Sequence, residues 1–305
     1  MSASATVEQR PGTPAPVTPR SRRPLLGRRS TPLTVAMIVA VVYFLLPLVW
    51  LVISSTKSNS DLFSTFGLWF GHFNLFQNLH DVFTFQGGIF GVWIRNTIFY
   101  AVVSAVGAAI LASMAGYAFA KLRFPAGNAL FSVVIGAIMI PMTALAIPTY
   151  LLFSKASLTD TPLAVILPSL VSPFGVFLMR VYAADAVPDS LLEAARVDGA
   201  GELRIFLSVA MRLLAPGFVT VLLFQLVATW NNYFLPLIML NNSHLFPLTV
   251  GLAQWQATAS AGSGSQALFS MVITGSLVSI VPLVVAFLFL QRYWQSGLTF
   301  GGVKA

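Results

Sequence analysis

Val187-Pro188-Asp189-Ser190-Leu191-Leu192-Glu193-Ala194-Ala195-Arg196-Val197-Asp198-Gly199-Ala200-Gly201-Glu202-Leu203-Arg204-Ile205-Phe206 is a charged island in an apolar chain. Residues 185–212 hold five of the nine acidic residues, and the stretch that follows, 213–291, contains no Asp, Glu, Lys or Arg. A polar segment held between apolar runs of that length meets something in water. Ser190 followed by Glu193 fits a capping box, in which each side chain satisfies a backbone N–H at a helix start, so a short helix is predicted from about Leu191. Asp198-Gly199 offers its stop, because Gly adopts the left-handed conformation that closes helices, and a second helical run is predicted from about Glu202. The small Ala194 and Ala195 permit close backbone approach, while Glu193 and Asp198 can pair with basic groups on a partner. The plainer reading is that Glu193 caps its own helix and the charges solvate a loop.

Around this island the composition is that of a membrane protein. Hydrophobic residues make up 57% of the 305 and charged residues 9%, with a mean hydropathy of +0.83, which is too apolar for a soluble domain. Uncharged runs cover about 34–54, 96–120, 129–154, 161–179, 214–240 and 268–291. Each approaches the roughly 20 residues that cross about 30 Å of hydrocarbon as helix, so the chain is predicted to be an all-α membrane protein with six transmembrane helices. The absence of Cys excludes disulfides, thiolate metal sites and a cysteine nucleophile.

The net charge of +8 would suggest nucleic acid in a soluble protein, but here the positions of the charges account for it. With the N-terminus inside, Arg10, Arg20, Arg22, Arg23, Arg28, Arg29, Lys121, Arg123, Arg180, Arg196, Arg204, Arg212, Arg292 and Lys304 fall on the cytoplasmic side, and Lys57, Arg95 and Lys155 outside. That asymmetry predicts a multi-pass inner-membrane protein with both termini in the cytoplasm, and no nucleic-acid partner. Residues 1–30, rich in Pro, Ser, Thr and Arg, are expected to be a disordered basic cytoplasmic tail ahead of a six-helix domain over 31–305. The apolar stretch after them reads as a retained anchor rather than a signal peptide.

Between the first two spans, 55–94 is expected to form a polar and aromatic outer segment with His72 and His80. Helix two carries Ala105, Ala109 and Ser113 beside Ala108, Ala112 and Gly116, two stripes that let neighbouring helices approach closely. Pro141 and Pro148 predict a kinked or partly unwound helix three. On helix five Gln225, Thr229 and Asn232 recur at i, i+4 and i+7, so three polar side chains share one face at mid-membrane depth, and Trp230-Asn231-Asn232-Tyr233 extends it. Ala261-Gly262-Ser263-Gly264-Ser265 is expected to be a mobile outer loop.

Asn96-Thr97, Ala118-Phe-Ala-Lys-Leu-Arg-Phe124, Ile140-Pro141, Ile147-Pro148, Pro173-Phe-Gly-Val-Phe-Leu178, Trp230-Asn231-Asn232, Pro247-Leu248, Gln291-Arg-Tyr and Gly297-Leu-Thr-Phe-Gly301-Gly-Val-Lys304 together resemble the maltose and multiple-sugar permeases of bacterial ABC importers. The likeness covers nearly everything after residue 30 and is to the smaller of the two permeases in such systems. It implies the ABC type I importer permease fold. It also implies a machine of two different membrane subunits, two ATP-binding subunits and an extracytoplasmic sugar-binding lipoprotein. In it the island, with coupling helices over about 186–211, would dock on the ATPase through Glu193, Ala194, Ala195, Asp198 and Gly199. One departure stands out: where the family follows its coupling loop with a Pro, this chain has Arg212, and only the later Pro216 remains, which leaves the approach angle of helix five open.

No Gly-x-x-x-x-Gly-Lys-Ser/Thr occurs, so any ATP must be bound by another chain, and the resemblance implies no cofactor in this chain, with ATP and Mg held by partner ATPase subunits. The competing function is an ion-coupled secondary transporter. Proton coupling would call for titratable groups within the spans, and none lies deep in one, whereas sodium coupling through carbonyls and hydroxyls stays open. An enzyme is disfavoured, since His72, His80 and His244 are far apart and have no metal-ligand spacing. For the polar stripe two readings stand: Gln225, Thr229, Asn231 and Asn232 line a translocation path, or they glue helices together. Trp230 and Tyr233 stack on a sugar or anchor the helix at the membrane boundary. Without an intramembrane charge to pair with an ionic ligand, an uncharged, hydroxylated solute is the expectation.

Overall fold

The computed structural model describes residues 31–261 and 268–298, with side chains as far as Gln291. The expected tail over 1–30, the Gly-Ser loop near 262–265 and the motif ending at Lys304 lie wholly or partly outside the described residues. Described secondary structure is entirely helical. In chain order it comprises α1 (Thr31–Ser55), α2 (Asn59–Ser64), α3 (Leu75–Lys121), α4 (Gly127–Ile138), α5 (Ala146–Lys155), α6 (Pro162–Ser169) and α7 (Pro173–Ala186). These are followed by α8 (Asp189–Val197), α9 (Glu202–Ile205), a π-turn at Phe206–Ala210, α10 (Met211–Trp230), α11 (Phe234–Met239), a 3-10 turn at Ser243–Leu245, α12 (Leu248–Ser260) and α13 (Leu268–Leu298). The chain divides into two compact units at Pro47, the first being the apolar beginning of α1 and the second everything from Leu48 onward.

Among the described residues, five helical stretches are long and apolar enough to cross a membrane: Thr31–Ser55, Leu75–Lys121, Pro162–Ala186, Glu202–Trp230 and Leu268–Gln291. The remaining apolar run, 129–154, is divided between α4 and α5. Pro141 stands at the start of the interruption, and Pro148 sits in the first turn of α5, where a missing N–H leaves no intrahelical bond unmade. The break is the unwinding that the two prolines predict. Pro162 and Pro173 likewise open α6 and α7.

The second span begins much earlier than its apolar run suggests. Residues 75–94, read from sequence as an outer polar loop, are helical, with a bend at Phe85–Gly88 where Gln86, Gly87 and Gly88 take positive φ of 49°, 71° and 81°. Pairs four residues apart stabilise the first arm, with Asn74 Nδ2 donating to Asn78 Oδ1 and Gln77 Nε2 to Asp81 Oδ1. Polar composition hid a helix that lies outside the apolar run.

After the bend α3 is the central post of the second unit, packed on α7, α10, α12 and α13. Its two small-residue stripes are fully buried: Ala105, Ala108, Ala109, Ala112, Ser113 and Gly116 are all shielded from solvent. A Cβ on Gly116 would lie 2.5 Å from Cβ of Met179 and 2.7 Å from the backbone nitrogen of Arg180, so α3 and α7 touch main chain to main chain here. Two apolar clusters result. One gathers Phe90, Trp93, Tyr100, Trp230, Leu248 and Trp255 around the first half of α3. The other gathers Tyr117, Met179, Val187, Leu192, Ile205 and Phe206 around its last turns, and this second cluster roots the charged island.

Candidate coupling loop and translocation residues

The island folds as helix, turn, helix, but its first helix starts earlier than the capping-box reading expects. Pro188 occupies the N-cap position with φ −65° and ψ 134°, α8 runs Asp189–Val197, and no side chain caps it. Pro fixes its own φ and presets the extended backbone that precedes a helix, so Ser190 falls inside the first turn and cannot serve as cap. The Ser190–Glu193 box therefore does not form. Glu193 is left exposed and makes no hydrogen bond or ion pair with any described residue.

The closing turn is the one predicted. Gly199, at φ 79°, follows the C-cap Asp198; its N–H donates to the Arg196 carbonyl, and that of Ala200 donates to the Ala195 carbonyl. These two bonds are the Schellman pattern, which satisfies the last free carbonyls of α8. Across the turn Arg196 Nε and Nη2 hold the two Glu202 carboxylate oxygens at 2.6 and 3.3 Å, fixing α8 against α9. Leu192, 1% exposed, anchors α8 in the second apolar cluster, where Tyr117 packs on Phe206 at 5.2 Å between ring centroids.

A second tie joins the island to α3. Lys121 Nζ lies 2.8 Å from Asp189 Oδ1, and the lysine side chain is itself 8% exposed. Lys121 holds the Asp189 carboxyl below the usual aspartate range, first by hydrogen bonding and then by its charge. A depressed carboxylate contributes stability above its unfolded pKa and loses it as pH falls through the folded one. The tie is thus insensitive to pH near neutrality.

Facing away from these anchors are Leu191, Val197, Leu203 and Leu207, exposed by 45%, 88%, 66% and 60%, together with Glu193 and Ala194. Beside them Glu202, Leu203, Arg204, Leu207 and Arg212 line an open hollow of about 800 Å³. Arg212 stands second in α10, one residue beyond the Met211 that follows the π-turn, and the helix continues through it to Pro216, whose missing N–H frees the Arg212 carbonyl.

The polar stripe of the fifth span does not share one environment. Gln225 Nε2 donates to the Ser169 carbonyl at 2.7 Å, joining α10 to the end of α6. Thr229 is 6% exposed, and its Oγ1 has no partner among the described residues. Trp230 is 8% exposed within the apolar cluster around Trp93. Asn231 turns back to the Val227 carbonyl, while the Asn232 carbonyl accepts from Thr249 Oγ1 and its Oδ1 from the Leu235 N–H. Tyr233 is 41% exposed.

Sequence reasoning missed a clasp on the opposite side of α3. Trp93 Nε1 donates to the Ser243 carbonyl, Asn96 Nδ2 to the carbonyls of His244 and Phe246, and Tyr100 Oη to that of Leu245. Thr97 Oγ1 donates to the Trp93 carbonyl and accepts from the Leu248 N–H at 2.7 Å. Polar residues at 93, 96, 97 and 100 mark one face of a helix, a signal present in the sequence; their partner is the irregular backbone that leads into α12. Asn96-Thr97 and Pro247-Leu248 are therefore one device. Replacing Thr97 with valine, which keeps the shape, would orphan the buried Leu248 N–H and is expected to cost about 1–3 kcal/mol, read as a lowered thermal midpoint; an unchanged midpoint would deny the clasp a structural role.

Residues 108–296 match the family described as binding-protein-dependent transport system inner membrane component. The arabinooligosaccharides transport system permease protein AraQ of Halalkalibacterium halodurans is 36% identical over 228 residues, 75% of this chain and 79% of that protein. The AraQ protein of Bacillus subtilis is 34% identical over 281 residues, 89% and 95% of the two chains. In fold, the chain is similar to a crystal structure of a bacterial ABC transporter involved in the import of the acidic polysaccharide alginate, with a TM-score of 0.74 and 23% identity over 86% of this chain and 94% of that one.

Proposed function

The chain belongs to the binding-protein-dependent transport system inner membrane components, and from that premise we propose that it carries a sugar or related polyhydroxylated solute. As a permease subunit of an ABC importer it is a multi-pass membrane protein and not an enzyme. It forms half of the translocation path beside a second, different permease. Two ATP-binding subunits hold ATP and Mg, and an extracytoplasmic lipoprotein delivers the solute. Both termini face the cytoplasm, as the Lys and Arg distribution favours. The sugar assignment draws on the similarity to permeases named for arabinooligosaccharides and on the scarcity of charge in the spans.

The observation that carries the coupling role is the two-sidedness of α8. Leu192 and the Lys121–Asp189 pair root it in α3 and the second cluster, while Glu193, Ala194 and the apolar Leu191 and Val197 face out. Nine residues of helix rooted on one side and bare on the other act as a lever. A push on α8 from an ATPase subunit is passed to α3 and α7 through the Leu192 cluster, and to α10 through the Arg196–Glu202 bridge and the π-turn. Ala195, Asp198 and Gly199 set the turn on which that geometry depends. Of the stripe, Asn231 and Tyr233 at the exposed end of α10 are the members best placed to meet a solute, with Gln225 and Trp230 engaged in packing and Thr229 and Asn232 between the two. Family membership sets aside the ion-coupled secondary transporter.

The test is ATP hydrolysis by the complete transporter in lipid nanodiscs, with and without loaded binding protein. Gly199→Val forces a β-branched residue into positive φ, a conformation that costs such residues about 1–2 kcal/mol, and misdirects α9. Stimulation by the binding protein is expected to fall at least tenfold, and Glu193→Gln to give a smaller loss, with the complex still assembled. Undiminished stimulation in both variants would remove the coupling role from this loop.

A further inference from the structure

The segment between α1 and α3 is built inside out. Its charged groups point inward: Lys57 is 1% exposed, with Nζ donating to the Phe66 carbonyl at 3.0 Å, and Asp61 is 9% exposed, its backbone N–H donating to Ser58 Oγ and its carboxylate accepting from the His72 N–H. Asn78, 2% exposed, donates to the carbonyls of Ser55 and Lys57, and the Asn74 N–H closes the excursion onto the Thr56 carbonyl at 2.7 Å. The aromatic rings point outward: Phe63 is 65% exposed, Phe66 73%, Trp69 72%, Phe70 66%, Phe73 64% and Phe76 76%. A loop surrounded by water has the opposite polarity.

The depth of this loop is set by the spans around it. Ser55, where α1 ends, accepts from Thr274 Oγ1 in the second turn of α13, and Phe63 packs edge-on against Phe269 in the first turn. Phe90 of α3 lies against Gly275 at the same level. From Phe90 to Lys121 at the coupling loop, helical rise gives about 46 Å, close to the roughly 40–45 Å of a bilayer with its headgroups. The aromatic rings thus lie where the far leaflet meets water. They continue the apolar flank of the last turns of α1, where Leu48, Val49 and Val52 are 46–49% exposed. A soluble binding protein would be met by a polar rim, yet of the charged residues in 56–76 both Lys57 and Asp61 are turned in.

We propose that residues 56–76 form a foot that inserts its aromatic rings into the headgroup–acyl boundary of the leaflet remote from the coupling loop, with lipid as its partner. Phe and Trp are the side chains that favour that boundary. Burying Lys57 and Asp61 inside the foot leaves His72, whose Nδ1 lies 3.4 Å from Asp61 Oδ2, as the titratable side chain among the exposed rings. Gly71 allows the fold, since a Cβ there would meet the Asp61 side chain at 2.9 Å.

The chain has no cysteine, so single replacements Phe66→Cys, Trp69→Cys and Phe73→Cys, with Asn241→Cys as a water-facing control, can each carry a nitroxide. The complete transporter would be placed in phosphatidylcholine–phosphatidylglycerol vesicles, and collisions with oxygen, which concentrates in lipid, compared with those of a water-soluble nickel chelate. Oxygen is expected to exceed the chelate several-fold at the three foot positions and the order to reverse at Asn241. Chelate-dominated collisions at the foot would overturn the proposal in favour of a solvated loop. Low accessibility to both reagents would overturn it in favour of a protein partner seated on the rings. Phe66 and Trp69 make no ring contact with a described residue, and Phe73 meets edge-on only Phe76, which is itself 76% exposed, so a label at any one of them decides.

Discussion

Gly116→Val is expected to prevent assembly of the membrane domain or to lower its thermal midpoint markedly. The added atoms have nowhere to go: one neighbour is the Cβ of Met179, and the other two are main-chain atoms, the Arg180 nitrogen at 2.7 Å and the Met179 carbonyl carbon at 2.8 Å. Backbone on a helix cannot swing aside like the end of a side chain, so α3 and α7 must separate. Overpacking of this kind costs about 1–3 kcal/mol and sometimes more, and here it acts where the packing that holds α3 against α7 is tightest. Gly136→Val on α4, where a new Cβ meets nothing within 4 Å, is the matched control and is expected to leave both assembly and midpoint intact. Equal behaviour of the two variants would mean that α3 and α7 do not depend on close approach.

Leu192→Ala is the second large effect, and it falls on coupling rather than on assembly. A helix of nine residues has little stability of its own, and Leu192 is the buried side chain that holds α8 to the membrane bundle. Removing a buried leucine costs about 2–5 kcal/mol in packing and cavity together. That is enough to let α8 move independently of α3 and α7. Hydrolysis stimulated by loaded binding protein is expected to drop at least tenfold, with the α8 amides losing hydrogen-exchange protection while those of α3 keep theirs. Retained stimulation with α8 already unprotected would mean that force reaches the bundle by another route, and the lever would be abandoned.

What could be read in advance depended on whether the deciding physics was local. The apolar runs, the interruption between α4 and α5 at Pro141, and the stop at Asp198-Gly199 follow from transfer energies, a missing N–H and a positive φ, each carried by a few adjacent residues. The start of α8 was misplaced by two local signals in competition, because Pro188 took the cap position that Ser190 appeared to claim. The arm of α3 over 75–84 went unseen because its stabilising pairs are polar and its composition is that of a loop. Gln225 looked as suited to a solute as to a helix; its hydrogen bond runs to a carbonyl 56 residues away.

By itself, then, the sequence determined that this chain lives in a membrane, how many apolar segments it has, where its charged island lies and to which kind of importer it is similar. Tertiary structure alone decided which polar groups are already engaged. It joined Asn96 and Thr97 to a backbone some 150 residues distant, turned Trp230 into the core and Glu193 out of it, and folded Lys57 inward while spreading the foot aromatics outward. The physical reason is that hydrophobic transfer and backbone preference act on neighbouring residues. Hydrogen-bond satisfaction depends instead on partners that only the packed chain brings within reach.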